Sequence, residues 1–214
     1  MTSSLVGSEM CIRDSFFQPV RMESQYVDTK LQTVMFQADD ENAACFDGEL
    51  AVLGDFVQDP VYLSAFTAAN AAASAPVDFN TRAATAPTAA TAVGVGVIDL
   101  PTVPMATGAG VAYRMGYKTI GLTAEAGVPV RFRKLVVDDT FATGEENCTG
   151  ALTVGQYAVL ATAGNAGKWA PASDAPGTAG CYAKVISKYI VSQGVDGKVT
   201  DDGVQAYMLC VMAN

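Results

Sequence analysis

The chain has 214 residues, 50% of them hydrophobic and only 16% charged, with 13 basic against 22 acidic residues for a formal charge of −9. That composition argues against intrinsic disorder, and the acidic balance argues against a free-standing nucleic-acid binder or a ligand of anionic membranes, both of which need Lys and Arg. Histidine is absent, which removes the usual general base near neutral pH and the commonest transition-metal ligand, and with them Ser-His-Asp and Cys-His catalysis within the chain.

Residues 3–15 do not read as folded protein. They resemble a peptide translated from sequencing-adapter read-through, the alternative being a flexible N-terminal arm. Residues 1–25 are therefore set apart, with a natural start expected at Met22 or nearby. Residues 26–214 read as a single β domain. Tyr26-Val-Asp-Thr-Lys-Leu-Gln-Thr-Val-Met-Phe-Gln is either an extended arm or a first strand. Asp47-Gly48 is a tight-turn signal between β-prone runs and predicts a hairpin whose second strand ends at Gly54-Asp55. Residues 64–110 are rich in Ala, Thr, Gly and Pro. There, 64–75 suits a short helical turn or two, 93–100 suits one apolar strand, and the whole predicts a long surface or subunit-contact excursion.

Residues 111–214 form the predicted strand-rich core. Tyr113-Arg-Met-Gly-Tyr-Lys-Thr-Ile-Gly-Leu-Thr gives one or two short strands. In the strand from Val128, Val130 and Phe132 share one face and Arg131 and Arg133 the other, the period of a half-buried strand. Further strands follow at 152–160, 181–190 and 204–212, punctuated by glycine. This spacing predicts a mainly β fold, a small β-barrel or β-sandwich with little helix. The terminal strand sets Val204, Ala206, Met208, Cys210 and Met212 on one face and Gln205, Tyr207, Leu209 and Val211 on the other. Both faces are largely apolar, which predicts cover on both sides and points to docking or oligomerisation.

No residue is assigned a catalytic, cofactor-binding or metal-ligating role, and each candidate has a plainer reading. Gly94-x-Gly96 lacks the third glycine of a nucleotide loop and reads as a strand or bend. Asn147-Cys-Thr149 is a glycosylation sequon by coincidence. Asp138-Asp139 and Asp201-Asp202 read as solvated turns rather than calcium ligands. Trp169 either caps a core end or offers an exposed platform for a sugar or protein partner. Arg131, Arg133 and Lys134 form a small basic cluster suited to an acidic partner surface. The five cysteines form no C-x-x-C pair and read as buried packing thiols, with a Cys181–Cys210 bridge left open. No apolar run reaches transmembrane length.

The order of features carries a resemblance. Asp47-Gly-Glu-Leu-Ala-Val-Leu-Gly, a variable middle, Tyr113-Arg-Met-Gly-Tyr, Leu152-Thr-Val-Gly-Gln-Tyr-Ala-Val-Leu, Gly180-Cys-Tyr-Ala-Lys-Val-Ile-Ser-Lys and Tyr207-Met-Leu-Cys-Val follow one another. The layout resembles tailed-bacteriophage capsid decoration (head auxiliary) proteins. The resemblance implies a non-catalytic virion protein without cofactor, made in the bacterial cytoplasm. It would bind and reinforce the outside of a shell of major capsid protein, commonly as a homo-oligomer, with no role for nucleic acid or membrane. Other phage components (tail tube, connector, head fibre) and a carbohydrate-binding or adhesin module are the competing readings.

Overall fold

A computed structural model describes residues 17–58, 77–100, 123–177, 180–191 and 204–214. The fold is mainly β and sandwich-like, as the strand spacing predicts; short 3₁₀ turns are the only helical elements among the described residues. The expected helical turn at 64–75, the strand at 113–122, Asp201-Asp202, Cys11 and residues 1–16 lie outside the described residues.

One sheet is open and antiparallel. It contains β1 (Phe17–Arg21), β10 (Thr140–Gly144), β14 (Val204–Ala213), β13 (Tyr182–Val191), β11 (Tyr157–Leu160) and β12 (Trp169–Ala172), in that spatial order. Alternation dictates which face is buried. Phe141, Leu160, Trp169, Ala183, Val185, Tyr207, Leu209 and Val211 all point inward, and pairing of Phe141 with Leu209 and of Ala183 with Val211 stacks them across the ladder. Phe17, Phe141 and Trp169 form a chain of tilted rings, 5.5 Å and then 6.2 Å between centroids, the offset geometry that aromatic quadrupoles favour.

The second sheet closes on itself. β2 (Leu31–Ala38) pairs in parallel with β6 (Val77–Thr85); the ring then runs through β5 (Leu50–Gln58), β7 (Val95–Asp99) and β9 (Val130–Lys134) back to β2. β3 (Glu41–Asn42) hangs from the end of β2, and β4 (Cys45–Phe46) pairs with β8 (Thr123–Ala124). Inside the ring lie Val34, Phe36, Ala51, Ala84, Ile98, Val130 and Phe132. Its β5–β7 wall turns Leu50, Val95 and Val97 outward against the inner face of the open sheet.

Several expectations are corrected by this arrangement. Residues 17–25 belong to the fold: Phe17 is fully buried and β1 pairs with β10. Within 64–110, the apolar strand expected at 93–100 is β7, all five residues of it buried, but it and β6 are ring strands rather than part of an excursion. Gly96 is there because the Phe132 ring and the Arg133 carbonyl occupy the space a Cβ would need. The Asp47-Gly48 turn exists, with Gly48 at φ +86°, but its flanking strands diverge: β4 joins β8 and β5 joins β6 and β7. Gly54-Asp55 does not end β5. It marks an irregularity between Leu53 and Phe56, where the freed Gly54 carbonyl accepts hydrogen bonds from Arg82 Nε (2.9 Å) and Nη2 (2.6 Å).

The terminal strand is also corrected. Tyr207, Leu209 and Val211 are buried, but Met208 and Cys210 are only half-buried and Met212 is 42% exposed. A strand that is covered on both faces is β7, between the ring interior and the open sheet. All four described cysteines are free thiols. Cys181 lies in the core and Cys210 on the other face of the sheet, so the bridge left open between them is absent.

Candidate functional site

The ionisable and polar residues singled out in the sequence are mostly consumed by the fold. Arg133 is buried. Its Nε donates to Asp99 Oδ2 at 2.6 Å and its Nη1 to the Ser24 carbonyl at 3.3 Å. Arg131 pairs with the same carboxylate at 3.2 Å. The two arginines therefore hold Asp99 at the ring surface and tie down residues 22–25, instead of forming a free basic patch. Removing one member of such a buried pair leaves an uncompensated charge, which is why the set persists together.

Asp139 is a strut as well. Its carboxylate accepts the Glu23 N–H at 2.7 Å and the Val136 N–H at 2.8 Å. Burial still pushes its pKa upward, against those two hydrogen bonds. Both oxygens thus serve the backbone, and no group of three or more His, Cys, Asp or Glu among the described residues is arranged to hold a metal. Asn147 is buried and its Nδ2 donates to the Asp47 carbonyl at 3.0 Å and to Thr143 Oγ1 at 3.2 Å, so the formal sequon is closed to glycosylation. Gly94 bends the chain at φ +70° into β7, so a strand follows it directly. Trp169 has no exposed surface and caps the aromatic chain of the core. That removes it as a sugar platform.

Sequence reasoning missed the tightest cluster. Asp47, fully buried, accepts the Phe17 N–H on Oδ2 and the Leu100 N–H on Oδ1, both at 2.9 Å. It thus joins β1 of the open sheet to the end of β7. Glu49, two residues on, accepts the Phe46 N–H at 3.0 Å and lies against Gly167, whose carbonyl accepts the Leu50 N–H at 2.8 Å. Burial pushes the Glu49 carboxyl up to about 7, with the Phe46 hydrogen bond and Lys168 pulling the other way. Burial likewise pushes the Cys45, Cys148 and Cys181 thiols up to about 12, which keeps them protonated and poor nucleophiles. The signal available in the sequence was an acid inside an apolar run: Asp47 and Glu49 before Leu50, and Asp99 within β7. Such acids have no reason to sit there unless the backbone supplies their partners.

Among the described residues, the outer face of the open sheet keeps several large side chains only half-buried, although Ala142 and Ala206 on it are fully buried. Across it lie Tyr157 and Val159 of β11, Tyr182 of β13, and Met208 and Cys210 of β14, all half-buried, with the bulged Met212 at their edge. Tyr157 and Tyr182 meet edge to face at 5.9 Å. Thr140, Ser187, Ala170 and Ala172 fill the spaces between them. The charged strand residues on this face are Lys184, opposite Tyr157 and Cys210, and Arg21, opposite Thr140. Aromatic and methionine residues are the types enriched in interface cores, and here they have a basic fringe. Among the described residues no helix is long and apolar enough to cross a membrane. No family model matches the chain, and neither a curated protein nor a solved structure matches it.

Proposed function

We propose that this chain is a virion structural protein of a tailed phage, one that binds and stabilises the outside of a shell of major capsid protein as a homo-oligomer and performs no catalysis. The observation that carries the reading is the outer face of the open sheet: a half-buried surface of Tyr157, Val159, Tyr182, Met208 and Cys210 on a hydrogen-bonded ladder. The consumption of Asp47, Asp99, Arg133 and Asp139 in internal struts supports it, because the ionisable groups serve stiffness. Net acidity suits the outside of a shell better than its DNA-lined interior. The order of glycine-punctuated strands supplies the link to decoration proteins.

Reconstruction of purified particles tests the assignment. The chain should occupy the outer shell at stoichiometric copy number; its absence from particles would sink the proposal. Density at a tail tube, a connector or a fibre would move it within the same class, and copy number and symmetry separate those roles. The adhesin reading loses its tryptophan platform, since Trp169 is inside.

A further inference from the structure

The outer face of the open sheet has a counterpart elsewhere on the same chain. We propose that the two dock on one another between copies, joining copies head to tail into a closed ring. The inference rests on the homo-oligomeric part of the coat-protein reading and names the surfaces that would carry it.

The first surface is the apolar sheet face with its basic fringe, Lys184 and Arg21. The second is the far tip of the ring sheet. There the β2–β3 turn presents Asp39, Asp40 and Glu41, all exposed. Asp39 and Asp40 sit at φ +50° and +64°, a two-residue hairpin conformation that pushes the acids outward. The 125–128 turn adjoins it, since Gly127 lies beside Asn42. That turn adds the exposed Glu125 and Val128, the latter 46% exposed. Four exposed carboxylates therefore lie on two adjoining turns with Val128, and two cations lie on the apolar face.

Charge selects the mode of pairing. Face-to-face stacking of two open sheets would bring Lys184 and Arg21 of one copy toward those of the other, with no carboxylate among the strand residues on that face to offset them. Like-charge juxtaposition is the standard device against a wrong pairing. Tip-on-face pairing instead sets carboxylates against Lys184 and Arg21. Because the two surfaces differ, the contact is heterologous, and such contacts close into rings or run on as filaments. Area sets the strength. Six strands about 4.8 Å apart and about five residues deep give a footprint of roughly 24 by 17 Å. That is roughly half the ~800 Å² per partner of a standard interface, so single contacts are weak and closure of the ring holds the assembly.

Sedimentation velocity of the full chain at about 100 µM, where weak contacts of this size are populated, should show a discrete oligomer that loosens as salt rises. Lys184→Glu should weaken association by about tenfold or more, and so should the paired reversal Glu41→Lys with Glu125→Lys. All three positions are exposed, so melting curves should stay at the wild-type value. Combining the three reversals should restore the oligomer, which a general loss of structure would not do. A wild-type monomer at that concentration overturns the inference, as does an oligomer indifferent to either reversal, or a combined variant that stays dissociated. A monomeric chain that still coats particles sinks this inference and spares the coat-protein reading. A ring-forming chain absent from particles does the reverse.

Discussion

Replacing Glu49 by glutamine should stabilise the protein at pH 8 and leave it unchanged at pH 4. The carboxyl shifts from 4.5 to about 7 on folding because burial disfavours its charged form. Between those values the folded chain holds a proton that the unfolded chain has released. The contribution of this group to stability is therefore fully present below pH 4.5 and is lost as pH rises through 7. A shift of that size is worth roughly 3 kcal/mol at most, and the partial solvent contact of the side chain leaves about 2. Glutamine keeps an acceptor for the Phe46 N–H and has no charge to bury. The measurement is urea unfolding of wild type and variant at pH 5, 6, 7 and 8. The difference between the two curves cancels other titrating groups, including Asp139, whose pKa also rises on burial. The gap should open from about 0.5 kcal/mol at pH 5 to about 2 kcal/mol at pH 8, in favour of glutamine. Parallel curves would show that Glu49 is solvated in the folded state and that the junction it occupies is wet.

Asp47→Ala should cost about 2–5 kcal/mol, because the Phe17 and Leu100 N–H groups are left buried without acceptors; Asp47→Asn, which keeps one acceptor, should cost less, and chemical denaturation separates the two. Trp169→Phe should cost only about 1–2 kcal/mol, since the indole N–H finds no acceptor among the described residues, whereas Trp169→Ala should cost about 3–5 by opening a cavity beside Phe141; equal losses would show that the indole nitrogen is satisfied. Asn214→Asp should destabilise by about 1–3 kcal/mol, with the melting temperature as readout. The asparagine Nδ2 donates to the Val95 and Leu135 carbonyls at 2.8 and 2.7 Å, and a carboxylate turns both contacts repulsive.

The strands that alternate cleanly were legible. Val130 and Phe132 do share a buried face, and β11, β13 and β14 fall where the glycine-bounded apolar runs predict. The strand expected at 93–100 is β7; what escaped was β6 and the place of both strands in the ring, because Ala, Thr and Gly are read as loop composition. In a closed ring they are the residues that fit: Ala51 and Ala84 fill its interior, and Gly96 lets the Phe132 ring lie against the backbone. Arg133 shows a second limit. Its position opposite Phe132 followed from the period, but its environment did not. The outer wall of the ring is covered there by residues 22–25, a segment set aside as lying outside the fold. Long-range struts such as Asp47 to Phe17 join residues thirty positions apart, and no local pattern encodes the partner.

Hydropathy alone cannot separate an apolar face that is covered from one that waits for cover. Val95, Val97 and Ile98 on β7 and Met208, Cys210 and Met212 on β14 read alike in sequence. On β7 both faces find partners within the chain, because the strand lies between two sheets. On β14 the inward set is buried and the outward set stays half in solvent. Methionine suits the outward set: it is flexible and polarisable and adapts to a surface that is not built into its own fold. A charge at Met208 would therefore cost the fold little, while it would stand in the middle of any contact made by that face. Of the two apolar faces read on the terminal strand, one is thus ordinary core and the other keeps Met208, Cys210 and Met212 partly in solvent.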